Sequence, residues 1–124
     1  EALRLKRDWP EAEVTWPPAL EARLWLPDPA DIHVLAAAVA GSADVIVTRN
    51  AGDFPRGVLA EEGLSRADPD AFLLGVRQGQ PEMVQTVGEA VLAEANRLSG
   101  REWQMRPLLK KAQLPRLAKA LARA

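Results

Sequence analysis

Residues 28–55 read DPADIHVLAAAVAGSADVIVTRNAGDFP and carry the clearest structural signal in the chain. Asp28 and Pro29 are typical of a helix start, because aspartate accepts hydrogen bonds from free backbone amides and proline fits the first helical position. The alanine-rich helix that follows ends at Gly41. Val45 to Val47 is a β-branched run between turn residues, which is typical of a buried strand in a parallel sheet. Helix, short loop and strand form half of a βαβ unit, so we predict an α/β fold.

The segments around this stretch predict shorter elements. Residues 1–7 have the composition of the last turns of a helix. The alternation over Ala12 to Trp16 predicts a short strand, and Ala19 to Trp25 predicts a short helix. Further along, Val58 to Glu62 predicts a helical turn and Leu64 to Arg66 predicts an edge strand.

The remainder of the chain has the patterning of helices. One helix is predicted from Pro81 to Ser99, with an apolar face made of Val84, Val87, Val91, Ala95 and Leu98. Two shorter helices, each opening with a proline, are predicted over 107–113 and 115–122. We therefore predict two parts: residues 1–74 form the α/β portion, and residues 75–124 form a helical extension.

Composition excludes several classes of protein. The chain has 124 residues, of which 48% are apolar and 27% are charged, as in an ordinary soluble domain. Its longest apolar runs, such as Val34 to Ala40, are far too short for a bilayer span, so we expect no membrane association and a cytoplasmic location. With no cysteine and one histidine, His33, the chain lacks the ligands of a thiolate or multi-histidine metal site. Any bound metal ion would therefore be held by oxygen.

Charge is unevenly distributed along the chain. Residues 1–74 hold 7 Lys or Arg and 13 Asp or Glu, a net of −6, whereas residues 75–124 hold 9 and 4, a net of +5. An acidic half can concentrate cations and a basic half can meet phosphate, although the two halves can also simply attract each other. Lys110 and Lys111 are the candidate RNA contacts on the basic face of the extension, for which solvation alone is the alternative explanation.

Two carboxylates are expected at one edge of the sheet. In a helix-then-strand unit, the start of the helix lies at the same edge as the end of the strand, so Asp31 and the Thr48 to Asp53 loop converge there. Asp44 precedes the strand and is expected about 13 Å away at the opposite edge. Helix-dipole stabilisation is the structural alternative for Asp31, and capping of its own loop is the alternative for Asp53. Carboxylate, amide and hydroxyl oxygens suit Mg²⁺ or Mn²⁺.

Three strings of residues, in order, resemble the PIN-domain family, and in particular toxin-type ribonucleases of the VapC group. They are DIHVLAAA at Asp31 to Ala38, DVIVTRNAGDFP at Asp44 to Pro55, and PDAFL at Pro69 to Leu73. The similarity covers about Trp9 to Leu74. It implies a PIN-like parallel sheet flanked by helices and a metal-dependent endoribonuclease whose acidic cluster binds Mg²⁺ or Mn²⁺ and deprotonates the attacking water. It also implies the toxin of a toxin-antitoxin pair, with RNA as substrate and a protein antitoxin as partner.

The resemblance also implies roles for individual residues. Asp31 matches the third acidic position of the family, and Asp53 matches the region of the fourth, with Thr48 in support. Asn50 stands where many relatives carry a carboxylate, which leaves open whether Asn50 or Asp53 is nearer the ion. Arg49, between these residues, is a candidate RNA contact.

Two features of the family have no counterpart in this sequence. PIN domains begin with a central apolar strand that ends in Asp and carry a Glu on a later helix. We therefore expect a preceding segment of roughly 60 residues, the usual remainder of a domain of this size. We also expect self-association, and no nuclease activity from residues 1–124 alone. The competing hypothesis is a non-catalytic α/β module whose basic helical tail binds a protein partner or RNA.

Overall fold

A computed structural model describes residues 7–122, apart from the side chain of Glu11. Most of the helix predicted over residues 1–7 lies outside the described residues, although Arg7 and Asp8 are helical. The chain divides into two compact units, Glu1–Arg66 and Ala67–Ala124, which we call the first and the second unit.

The first unit is built on a two-stranded parallel sheet, which confirms the predicted α/β class. Its helices and strands, in chain order, are α1 (Pro18–Arg23), α2 (Ile32–Ala40), β1 (Val45–Val47), α3 (Arg56–Glu61) and β2 (Ser65–Ala67), whose last residue lies past the unit's end. Short 3-10 turns at Pro10–Ala12, Pro29–Asp31 and Ala51–Asp53 join them.

Helix α2 ends at the predicted residue, but it begins at Ile32, three residues after the predicted first position Pro29. The Asp28 carboxylate accepts a hydrogen bond of 2.9 Å from the backbone N–H of Ala30, and Pro29 opens the 3-10 turn that leads into the helix. At the other end, the Gly41 N–H donates to the Ala37 carbonyl at 2.9 Å. A Cβ on Gly41 would lie only 3.2 Å from a methyl of Val14, so a small residue is needed there.

The core of the first unit lies between helix α2 and the strand that follows it. Leu35 on α2 and Leu59 on α3 are completely buried, and Ile46 and Phe54 are more than nine-tenths buried. Strand β1 is less buried than its apolar sequence predicts, because Val47 is 42% exposed. The strand prediction is therefore confirmed, but full burial is found only at Ile46.

The strand predicted over Ala12 to Trp16 is wrong. Ala12 ends a 3-10 turn, and residues 13–17 belong to no helix or strand. Alternation indicates extended backbone, but a strand also needs a neighbour with free ladder groups, and within residues 7–122 the sheet consists of β1 and β2 alone. The segment is attached to α1 instead, because the Trp16 indole N–H donates to the Glu21 carboxylate at 2.7 Å.

Apart from Ala67, the last residue of β2, the regular elements that the structure describes in the second unit are all helices. Its helices are α4 (Pro69–Gly79), α5 (Pro81–Ser99), α6 (Met105–Lys111) and α7 (Pro115–Ala122). The predicted helical extension is thus observed, although position 74 falls inside α4. Within residues 7–122, no helix has the length and apolar character that crossing a bilayer requires.

The predicted apolar face of α5 is only partly buried. Val84 is half-buried, but Val87 and Val91 are 55% and 50% exposed. The buried side includes Gly88, where an added Cβ would lie 2.7 Å from the Leu121 side chain on α7. Val87 and Val91 nevertheless lie on the same side of α5 as Gly88, where they line an apolar cavity together with Leu121 of α7.

Asp70 is a buried carboxylate that joins α4 to the start of α7. Its side chain is 3% exposed and accepts hydrogen bonds from the N–H of Leu117 at 2.9 Å and the N–H of Arg116 at 3.0 Å. Burial acts to raise the pKa of Asp70, but these amides and the Arg116 guanidinium outweigh burial and lower the pKa. Asp70 therefore accepts hydrogen bonds from free amides at the N-terminus of α7, although it lies 46 residues before Arg116 in the sequence.

Replacing Asp70 by Asn is expected to destabilise the second unit. The loss of a charged acceptor for two buried amides costs about 1.5–3 kcal/mol in the free energy of unfolding at neutral pH. Urea unfolding followed by helical circular dichroism measures this change. Glu89→Gln on the exposed side of α5 is the matched control and should leave the unfolding midpoint unchanged.

The same carboxylate makes stability dependent on pH. Because the folded pKa of Asp70 is lowered, its contribution is fully present above the ordinary pKa of about 3.9 and is lost as the pH falls through the folded value. The difference in stability between the wild type and Asp70→Asn should therefore shrink below about pH 4. A difference that stays constant down to pH 2 would contradict the role assigned to the charge.

Candidate metal and RNA site

Asp31 lies at the start of α2, where the sequence predicts Asp28 as the cap and an interaction of Asp31 with the helix dipole. It ends the 3-10 turn Pro29–Asp31 and is the residue before α2, but its side chain makes no capping hydrogen bond. Asp28 performs that task instead. The structural explanation that remains for the half-buried Asp31 carboxylate is therefore its interaction with the helix dipole.

The loop after β1 brings three of the predicted site residues together. The Thr48 hydroxyl accepts a hydrogen bond of 3.0 Å from the Asn50 N–H, and the Asp53 N–H donates to the Asn50 carbonyl at 2.9 Å. Phe54 follows directly and is buried in the core, which fixes the end of the loop. Thr48 thus acts within the loop, while the Asn50 side chain is exposed and the Asp53 side chain is half-buried.

Arg66 fastens this loop and was missed in the sequence analysis. From strand β2 its guanidinium donates to two backbone carbonyls of the loop, those of Ala51 and Phe54, the latter at 2.9 Å. One guanidinium group therefore holds both ends of the turn that contains Asp53. A single arginine in a three-residue strand gives no sequence signal for such a contact, because its partners are set by the strand pairing.

Asp44 is exposed, as the sequence predicts, and the single histidine is exposed as well. Asp44 is exposed at the start of β1, and only its backbone carbonyl is used, as acceptor for the Ser65 N–H at 3.0 Å. His33 is exposed, with its Nδ1 2.8 Å from the Ala30 carbonyl. Neither of these contacts involves the loop from Thr48 to Asp53.

The donor set has the chemistry of a magnesium or manganese site but is small. Asp31, Asp53, Asn50 and Thr48 offer only oxygen ligands, which hard divalent cations prefer. Within residues 7–122, no three side chains of Asp, Glu or His gather into a metal-binding group. These residues fit such an ion as part of a ligand set, and two carboxylates leave much of its coordination to other donors.

The basic residues of the second unit have different surroundings. The Lys111 ammonium lies 5.3 Å from the centre of the Trp103 ring. Its neighbour Lys110 lines an open cleft of about 500 Å³ beside Asp68 and Asp70, so its surroundings include two carboxylates. Consecutive lysines, which are equivalent in sequence, are therefore distinct in structure. Arg49, in the first unit, is exposed.

No spacing places the four tryptophans on one face, so the sequence favours packing over base stacking for them. Trp16 packs against the core of the first unit, but Trp9 and Trp25 are 60% and 61% exposed. Trp103 is half-buried. Packing is therefore the wrong prediction for Trp9 and Trp25.

Comparison with known proteins supports the family resemblance. A family model described as PIN domain matches residues 1–52. The match includes Asp31, β1 and Asn50, and it ends one residue before Asp53. It supports a nuclease-type domain in this part of the chain. No curated protein and no solved structure matches the chain.

Removing the Arg66 guanidinium is expected to loosen the loop. Arg66→Ala deletes hydrogen bonds to two carbonyls, which should lower the free energy of local opening by about 1–2 kcal/mol. Amide hydrogen exchange at Asp53 and Phe54 should then become roughly 5- to 30-fold faster. Arg56→Ala, at an exposed position on α3, is the control. Equal exchange in both variants would contradict the clamp.

Proposed function

We propose that this chain carries part of the active site of a metal-dependent endoribonuclease of the PIN type, with Asp31 and Asp53 as its catalytic carboxylates. The observation that carries the proposal is the PIN domain match over residues 1–52, which contains a half-buried Asp31 with no capping hydrogen bond. The organisation of the loop from Thr48 to Asp53 supports it, because this loop presents a second carboxylate and an amide after the strand that follows α2.

The chemistry assigned to these residues is hydrolysis of a phosphodiester bond. Asp31 and Asp53, together with Asn50, would hold Mg²⁺ or Mn²⁺, which supplies water activation and charge stabilisation when bound. The carboxylates orient the attacking water and accept its proton. A bond then forms between the water oxygen and phosphorus as the bond from phosphorus to the leaving ribose oxygen breaks. Thr48 supports the loop, and Arg49 contacts the RNA backbone.

The biological role that we propose is that of the toxin in a toxin-antitoxin pair. This proposal rests on the resemblance to the VapC group. With it we propose a protein antitoxin as partner and a cytoplasmic location. We further propose that residues 1–74 contribute the PIN-like portion and that residues 75–124 extend it, with Lys110 and Lys111 as RNA contacts and with self-association of the chain.

A second candidate function is a non-catalytic α/β module that binds RNA or protein. The observation in its favour is that no group of three acidic or histidine side chains forms within the described residues 7–122. Removal of one carboxylate distinguishes the two functions. It abolishes RNA cleavage by a nuclease, whereas a binding module has no catalysis to lose.

Asp31→Asn in the complete gene product is expected to abolish Mn²⁺-dependent RNA cleavage. The substitution removes a charged ligand and proton acceptor while leaving the side-chain volume nearly unchanged, and single-turnover cleavage of a labelled RNA measures the effect. Asp44→Asn, at the exposed start of β1, should retain near wild-type activity. Equal activity in both variants would favour the binding module.

Residues 1–124 by themselves are expected to bind divalent cations weakly and to cleave no RNA. Two carboxylates leave most of the coordination and charge of a hard cation uncompensated. Calorimetric titration with Mn²⁺ and a cleavage assay on the purified chain test this. Robust cleavage that is abolished by Asp31→Asn would show that the two carboxylates are sufficient for catalysis. Light scattering on the same sample tests self-association.

A further inference from the structure

Trp103 of the second unit lies apart from the core of that unit. The buried residues of this core are Leu109, Leu117, Ala118 and Leu121. The partly buried hydrophobic residues that pack on it are Leu73, Val84, Met105 and Leu114, and within the described residues Trp103 is not among them. Its ring is nevertheless half-buried, in the loop that joins α5 to α6. Neither core packing nor the proposed cleavage chemistry uses this side chain.

The backbone of Trp103 is held in place by one side chain of α5. The Trp103 N–H donates to Asn96 Oδ1 at 2.6 Å, and the Asn96 Nδ2 donates to the Trp103 carbonyl at 3.4 Å. Gly100, whose φ is +69°, ends α5 and turns the chain into this loop. A ligand that binds to the ring therefore loses little free energy to ordering the loop, as it would if the loop were flexible.

Two cations lie over the Trp103 ring. The guanidinium carbon of Arg101 is 5.4 Å and the ammonium nitrogen of Lys111 is 5.3 Å from the ring centre. Both side chains are exposed. Over residues 101–111 the cations are Arg101, Arg106, Lys110 and Lys111, and the one acid is Glu102, so the segment has a net charge of +3.

We propose that Trp103, Arg101 and Lys111 form a binding site for single-stranded nucleic acid, with one base stacked on the indole and the adjacent phosphates on the two cations. The proposal goes beyond the cleavage site, and it rests on the proposed function only for RNA as the natural ligand. A base stacked on an aromatic ring typically raises affinity by roughly 5- to 150-fold. A cation over an exposed ring contributes only about 2- to 5-fold. A base can therefore displace one cation from the ring, and that cation remains beside the strand.

A single strand fits these groups better than a duplex or an acidic peptide. Stacking requires a base whose face is free, which a duplex does not offer. An acidic peptide would use the cations but gain nothing from the indole face. The ring and the cations together are thus complementary to a strand that presents both bases and phosphates.

The test measures binding of a fluorescent ten-nucleotide DNA strand by anisotropy, in EDTA, to the complete gene product. Trp103→Ala should lower affinity about tenfold without changing the dependence of log affinity on log salt, because no phosphate contact is lost. Lys111→Gln should lower affinity and reduce that slope by about 0.7. Trp25→Ala removes an exposed tryptophan that has no cation over its ring in the described structure, and Lys119→Gln removes an exposed lysine of α7. Both are matched controls and should bind as the wild type does.

Wild-type affinity in Trp103→Ala would overturn the proposal, and so would equal losses in Lys119→Gln and Lys111→Gln. Should Trp103→Ala lose its helical circular dichroism, irradiation of the wild type with a 5-bromouracil strand decides, because the adduct is expected on Trp103. An adduct elsewhere counts against the site. Polyglutamate is also used to compete with the strand, on the wild type and on a folded Trp103→Phe variant whose strand affinity is lowered. Equally strong competition in both supports stacking. Unchanged strand affinity in Trp103→Leu contradicts stacking. Since no cleavage occurs in EDTA, these results are independent of those with Asp31→Asn.

Discussion

The parallel pairing of β1 with β2 is the constraint on which the first unit depends. It fixes the direction in which β1 ends, and so where the loop from Thr48 to Asp53 begins. It also brings Arg66 beside that loop, where one guanidinium binds carbonyls 12 and 15 residues earlier in the chain. A sheet of two short strands has few ladder bonds of its own, so the side-chain contacts across its end matter more than they would in a larger sheet.

The second unit uses a related device with the opposite charge. Asp70, on α4, accepts hydrogen bonds from the first amides of α7, which lie 46 and 47 residues away in sequence. In both units a side chain with a fixed charge satisfies backbone groups that a turn or a helix end leaves unpaired. The two contacts differ in environment, because the Asp70 carboxylate is almost completely buried while Arg66 is half-buried. Of the two contacts, only that of Asp70 is sensitive to acid, because a carboxylate is protonated at low pH whereas a guanidinium stays charged.

These contacts mark the limit of what the sequence predicts. Asp28, Pro29 and Gly41 act within a few residues of their own position, so the start and end of α2 could be read from local chemistry. The strand β1 was equally readable, because its β-branched run is bounded by turn residues. Arg66 and Asp70 act over distances in sequence that no local pattern encodes.

The same reasoning explains the errors and the partial successes elsewhere. Residues 12–16 have the alternation of a strand, but pairing depends on a neighbour that local pattern does not supply. Lys110 and Lys111 were treated as one basic pair, yet α6 turns the first toward a cleft with two carboxylates and the second toward Trp103. The residue types of the candidate site could be predicted from the sequence, whereas the groups that hold them required the fold.

The strongest argument for a functional Asp31 comes from its neighbour. The turn that opens α2 has one side-chain cap, Asp28, which accepts a hydrogen bond of 2.9 Å from the Ala30 N–H. A second carboxylate three residues later gains only the interaction with the helix dipole, about 0.3–1 kcal/mol at an exposed site. A carboxylate that forms no cap adds little to helix stability, and this is the structural ground on which the proposed role of Asp31 rests.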